Sequence, residues 1–120
     1  MNVLITGGTG FIGSRLALAA KEKGFVCTVY GQVNTEAESL NRQHLEAQGI
    51  RVVLGSVTDK EKLNVVVQNV DIVIHLAAAQ HEANVPDQVF QDVNLEGTRN
   101  LLDACVANNI KRFVHGSTIG

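Results

Sequence analysis

At 120 residues the chain has room for one domain around one core, and its 45% hydrophobic content is that of a globular protein. A formal charge of −2, a pI near 6.0 and ten scattered Lys and Arg residues form no basic stripe, which sets nucleic acid aside as a partner. The first residues lack a basic region followed by an apolar core, and the most apolar later stretch, NVVVQNVDIVIHLAAA, is interrupted by Gln68, Asn69, Asp71 and His75; neither secretion nor a membrane span is indicated, and a cytoplasmic protein is expected.

Residues 2–6, NVLIT, form a β-rich run without polar alternation, the pattern of a central parallel strand buried on both faces. From Phe11 to Lys23, Ile12, Leu16, Ala19 and Ala20 recur on one face of a predicted helix, with Lys21 and Lys23 at its negative end and Gly24 just past it. FVCTVY is a second strand, a polar amphipathic helix runs from about Thr35 to Gln48, and IRVVLG is a third strand. Thr58 and Glu61 have capping-box spacing ahead of Leu63, Val66, Val67 and Val70, which predicts a third helix. DIVIHLA is a fourth strand, Pro86 opens a long helix reaching about Asn108, and KRFVHGS is a fifth strand. Strands that alternate with helices throughout predict an α/β fold, a doubly wound parallel sheet of about five strands in the order 3-2-1-4-5, because parallel neighbours need right-handed helical crossovers. Residues 1–120 read as a single domain. Cys27 and Cys105 stand alone in apolar surroundings and read as buried thiols in a reducing compartment, and no metal site is expected.

Between the first strand and the first helix, TGGTGFIG places four glycines in seven residues. In a helix interior each would cost about 1 kcal/mol relative to alanine. In a strand-to-helix turn they have separate uses: a tight turn at Gly7, close approach of a pyrophosphate at Gly10, and tight helix packing at Gly13. The helix N-terminus beyond them offers free N–H groups to an anion. No Gly-Lys-Ser/Thr follows, so the loop reads as a dinucleotide site and not as a P-loop.

TGGTGFIG resembles the T-G-x-x-G-x-x-G of the extended short-chain dehydrogenase/reductase family, the NAD-dependent epimerase/dehydratase group, and HLAA, VNLEGTRNLLDAC and RFVHGST match further motifs of that family in order. The resemblance implies the Rossmann fold and puts Gly7, Gly10, Phe11, Ile12 and Gly13 on the cofactor's pyrophosphate, Leu76, Ala77 and Ala78 beside its ribose and nicotinamide, and Asn94 on the long helix as a residue that holds the site together. Thr118 takes the place of the family's catalytic Ser/Thr, which hydrogen-bonds the reacting oxygen. Gly97, costly within a helix, suggests close packing against a neighbouring element.

Three positions depart from the family. The end of the second strand reads VYGQVN, with Gly31 where an acid would hold the ribose hydroxyls of NAD and Gln32 where an arginine would hold the extra phosphate of NADP. Gln32 can still hydrogen-bond a ribose hydroxyl, which favours NAD and leaves NADP open; Arg42 reads as a residue of a solvated helix. Ser56 stands where the family has an aspartate near the adenine, so Ser56 and Val57 are expected to border that ring. The family's Tyr-x-x-x-Lys pair is absent: the single tyrosine, Tyr30, ends the second strand and is followed four residues on by Asn34. Tyr30 reads as a packing residue or pocket wall. His44, His75, His81 and His115 lack carboxylate or cysteine partners at ligand spacing and receive no catalytic role.

The resemblance implies that these residues are the N-terminal, cofactor-binding part of a longer, homodimeric oxidoreductase, epimerase or dehydratase, with a nucleotide sugar as the substrate class and hydride transfer to and from nicotinamide as the chemistry. The fifth strand would otherwise end the sheet as an apolar edge. A second reading is a non-catalytic NAD(P)-binding sensor or regulatory protein of the atypical branch, and a third is a complete half-domain that pairs with a second copy through its fifth strand.

Overall fold

A computed structural model describes residues 1–76 and 87–116, and of 87–93 only the backbone. Pro86, Ala77, Ala78, His81, Ser117 and Thr118 therefore lie outside the described residues. The elements alternate in chain order: β1 (Asn2–Thr6), α1 (Phe11–Glu22), β2 (Val26–Gly31), α2 (Glu36–Ala47), β3 (Arg51–Leu54), α3 (Lys60–Val66), β4 (Ile72–His75), α4 (Asp87–Ala107) and β5 (Arg112–His115). All strand pairs are parallel, and the order across the sheet is β3-β2-β1-β4-β5, as the alternation predicts.

The sheet separates two cores. Val3, Ile5, Cys27 and Val29 point to one face, where they pack with Ala17 of α1, Leu45 of α2 and Ile50. Leu4, Tyr30 and Val73 point to the other, where Leu63 of α3 and Leu101, Ala104 and Cys105 of α4 cover them. Burial on both faces is why NVLIT shows no alternation: successive side chains enter different cores, and both are dry. The two thiols belong to opposite cores, and burial pushes each up to about 11, which keeps them protonated and inert.

One end of the sheet is clasped by polar groups. The Asn2 N–H donates to Asp71 Oδ2 at 2.8 Å, Asn2 Nδ2 donates to the Asn69 carbonyl at 2.8 Å, and the Asp71 N–H returns a bond to the Asn2 carbonyl at 2.9 Å. The opposite end, where β1, β2, β3 and β4 finish at Thr6, Gly31, Leu54 and His75, gathers the turns that carry the sequence motifs.

One predicted cap moves. The side chain that accepts the first-turn N–H of α3 is Asp59, bonded to Lys62 N at 3.1 Å, whereas the Thr58 hydroxyl pairs with Ser56 at 2.8 Å. Aspartate is at least as good an N-cap as threonine, and starting the helix one residue later frees Thr58 for the preceding turn. A related arrangement occurs in α2, where the N-cap Thr35 accepts through Oγ1 from Glu38 N at 3.1 Å, and Glu38 Oε1 reaches back past the cap to accept from Asn34 N at 3.0 Å. On α4, Leu95, Leu102 and Val106 recur at helical spacing and are exposed, as is Val114 on the edge strand β5.

Candidate functional site

The turn after β1 is fixed from several sides. Gly7 has φ +72°, a conformation that favours glycine, and its N–H donates to the Tyr30 carbonyl at 2.9 Å. Thr9 is buried; its hydroxyl donates to the Gln32 carbonyl at 2.8 Å, and its carbonyl accepts from Asn41 Nδ2 at 2.8 Å. Thr9 and Asn41 thus strap the turn to the end of β2 and to α2. Neither was identified from the sequence, although Thr9 lies inside the glycine motif.

Beyond the turn, α1 has Gly10 as its N-cap, with no side-chain cap hydrogen bond and no acidic residue in its first turn. By contrast, α2 has Thr35 as a cap with Glu36 and Glu38 in its first turn, and α3 has Asp59 with Glu61. The first amides of a helix have no partner within it. Those of α2 and α3 are met by the chain's own oxygens and carboxylates, whereas α1 presents its positive end uncompensated. Gly10 itself has φ −76°, which any residue adopts, and a Cβ there would meet only the Gly7 oxygen, at 3.5 Å. Neither backbone strain nor packing among the described residues requires glycine at position 10, so the space beside it fits an anionic group brought close to the backbone. Phe11 and Ile12 are both exposed beside this space, and the Arg15 guanidinium lies 3.8 Å over the Phe11 ring.

Gly13 serves differently from the helix-on-strand packing expected of it. A Cβ there would overlap the Gly7 carbonyl oxygen and stand 2.7 Å from the Gly8 Cα, so the helix packs on the turn itself. Gly97 is a close approach as expected, and its neighbour is Val57: a Cβ at Gly97 would overlap the Val57 side chain, and Asn100 Nδ2 donates to the Val57 carbonyl at 3.2 Å.

At the end of β2, a Cβ on Gly31 would stand 3.2 Å from Thr9 Oγ1, and the exposed Gln32 accepts from Asn34 Nδ2 at 3.2 Å through its own Oε1. Tyr30 is buried, and its hydroxyl donates to the Ser56 carbonyl at 2.6 Å; burial pushes its pKa up to about 12. That places it in the core as a packing residue that ties β2 to the turn after β3. Ser56 is engaged in that turn, accepting from Thr58 N at 3.1 Å. Arg42 pairs with Glu46 one helical turn on, at 3.0 Å, as a solvated-helix arginine does.

Leu76 follows β4, its N–H donating to both the carbonyl and the hydroxyl oxygen of Thr6 at 3.1 Å. Asn94, half-buried, stands one turn before Thr98 on α4. Gly7, Gly10, Gly13, Gln32, Ser56, Val57 and Leu76 thus lie around one end of the sheet, linked through Thr9, Tyr30 and Thr6. No group of three or more His, Cys, Asp or Glu able to hold a metal occurs among the described residues. No helix among them is long and apolar enough to cross a membrane.

A family model, described as the NAD dependent epimerase/dehydratase family, matches residues 3–120. The chain belongs to this family. Two curated members are similar to it over nearly its whole length. UDP-N-acetylglucosamine 4,6-dehydratase (inverting) of Campylobacter jejuni is 32% identical over 98% of this chain and 36% of its own. UDP-glucose 4-epimerase of Drosophila melanogaster is 31% identical over 97% of this chain and 37% of its own. Among solved structures, a double mutant of dTDP-glucose 4,6-dehydratase from Streptomyces venezuelae, with NAD bound, superposes with a TM-score of 0.84 at 31% identity, over 98% of this chain and 39% of that one. The chain therefore spans less than two fifths of these family members' length.

Proposed function

We propose that these residues bind NAD within an epimerase or dehydratase that acts on a nucleotide sugar. The observation that carries this reading is the N-terminus of α1: without a side-chain cap, without an acidic residue in its first turn, and preceded by a glycine that packing among the described residues does not require. Gly7, Gly10, Phe11, Ile12 and Gly13 would hold the pyrophosphate, with Gln32 at the adenosine ribose, Ser56 and Val57 at the adenine, and Leu76, Ala77 and Ala78 toward the nicotinamide. When bound, NAD supplies a hydride acceptor and donor. Asn94 would help hold the site together, and Thr118 would hydrogen-bond the reacting oxygen. Gln32, just after β2, favours NAD by offering a hydrogen bond to a ribose hydroxyl, and leaves NADP open. The chemistry reported by the names of the Campylobacter and Drosophila relatives supports the nucleotide-sugar substrate. A homodimer of the parent protein is supported by the apolar stripe of Leu95, Leu102 and Val106.

The alternative is a non-catalytic NAD-binding sensor, which would share this binding site and lack a Tyr-x-x-x-Lys pair. Calorimetric titration with NAD and NADP side by side tests the shared binding step. Saturable binding of NAD that is tighter than that of NADP is the expected result, and binding of neither would overturn the reading. A Tyr-x-x-x-Lys pair encoded shortly downstream separates enzyme from sensor.

A further inference from the structure

His75 ends β4 and is 2% exposed, yet both its ring nitrogens have partners on other elements. Nδ1 lies 2.6 Å from the Thr6 hydroxyl at the end of β1, and Nε2 lies 3.1 Å from the Thr98 hydroxyl on α4. The Thr6 hydroxyl oxygen also accepts the Leu76 N–H at 3.1 Å. One imidazole therefore joins three pieces of the candidate site: the residue before the Gly7 turn, the residue that leads from β4 toward positions 77 and 78, and the helix that carries Asn94. The neutral ring suits this arrangement, because it accepts from one hydroxyl and donates to the other at once. On β5, His115 stacks on the ring at a centroid distance of 5.4 Å, and Phe113 lies tilted against it at 6.1 Å.

We propose that His75 is a positioning residue, which fixes the glycine turn against the start of the following segment and against α4 through its two hydroxyl partners. The coupling is a property of the chain; its value for cofactor binding rests on the proposed NAD site. A histidine that only filled space in the core would need neither threonine, and leucine would replace it in a dry site.

The test uses Thr98→Val, which removes one hydroxyl and keeps the side chain's shape, with Thr98→Ser as the conservative control. Amide hydrogen exchange read well below the melting transition should speed up at Gly7 to Gly10 and at Leu76 about fivefold or more in Thr98→Val, and return toward the wild-type rate in Thr98→Ser. NAD affinity should weaken by a comparable factor in the valine variant alone. Exchange at the turn that is unchanged in Thr98→Val, or equally raised in Thr98→Ser, would overturn the proposal, whatever happens to the melting temperature. If exchange rises as expected but wild-type protein binds no NAD, the positioning role stands and the proposed function falls. His75→Asn, retaining one bonding group close to Nδ1, should protect Leu76 more than His75→Leu; equal exchange in the two would likewise overturn the proposal.

Discussion

A Cβ added to Gly13 would overlap the Gly7 carbonyl oxygen, whereas one added to Gly10 would meet that oxygen only at 3.5 Å. The two glycines of one motif are therefore separable by mutation. Gly13→Ala should destabilise the fold by about 1–3 kcal/mol, the cost of overpacking. Gly10→Val should change stability by no more than about 1 kcal/mol, the range of N-cap preferences, while reducing NAD affinity about tenfold or more. Denaturant melts combined with calorimetry distinguish the two. His75 gives a pH-dependent prediction. Burial first, and the nearby His115 charge second, lower its pKa from 6.5 to about 4. The folded state thus prefers the neutral ring: the stabilisation is fully present above pH 6.5 and is lost as pH falls from there toward 4, by about 3 kcal/mol. Between pH 7 and 5 the wild type should lose stability more steeply than His75→Gln, and parallel slopes would refute this. The sequence showed that glycines were needed here but not which neighbour needed each one, because a contact such as Gly97 with Val57 depends on how separate elements meet.

At the scale of elements, the way each helix begins divides the structural from the functional. Asp59 caps α3, and Asp59→Ala should cost about 1 kcal/mol, while Thr58→Ala, which removes a turn hydroxyl and no helix cap, should cost clearly less. Thermal melts of the two variants test this ranking directly. The sequence pointed to Thr58 through its spacing to Glu61, whereas the path of the chain out of β3 makes Asp59 the cap. The nine described elements were legible from hydrophobic period and turn residues, which are local signals, but for α1 the period marked the wrong face: Ile12 and Ala19 are exposed, and Gly13, Ser14 and Ala17 are the buried residues. The straps were not: Thr9 to Gln32, Asn41 to Thr9 and His75 to Thr98 join residues 23, 32 and 23 positions apart, and no local pattern marks such partners.

Across the whole molecule, strand order was readable because right-handed crossovers and a glycine turn at the first strand leave few topologies open. What covers the outer faces was not readable, because exposure depends on what else is packed there. The stripe formed by Leu95, Leu102 and Val106 on α4 is exposed, outside both cores. If it joins two copies, Leu102→Lys should shift sedimentation of the parent protein from dimer toward monomer, since placing a charge in the middle of an apolar contact is unfavourable. An unchanged sedimentation coefficient would remove the stripe from the interface.

The central place of β1 has a consequence for how the molecule is made. Its first neighbour, β2, follows it closely, and the unit from β1 to β3 shares a core with α1 and α2. Its second neighbour arrives much later: Thr6 meets His75 across 69 positions of chain. At ribosomal rates that interval is on the order of 3–14 s, during which the free edge of Val3, Leu4 and Ile5 stands unpaired. The strand best protected in the finished sheet is thus the one most at risk of mispairing while the chain emerges, and a nascent chain halted before β4 is the species in which aggregation should begin.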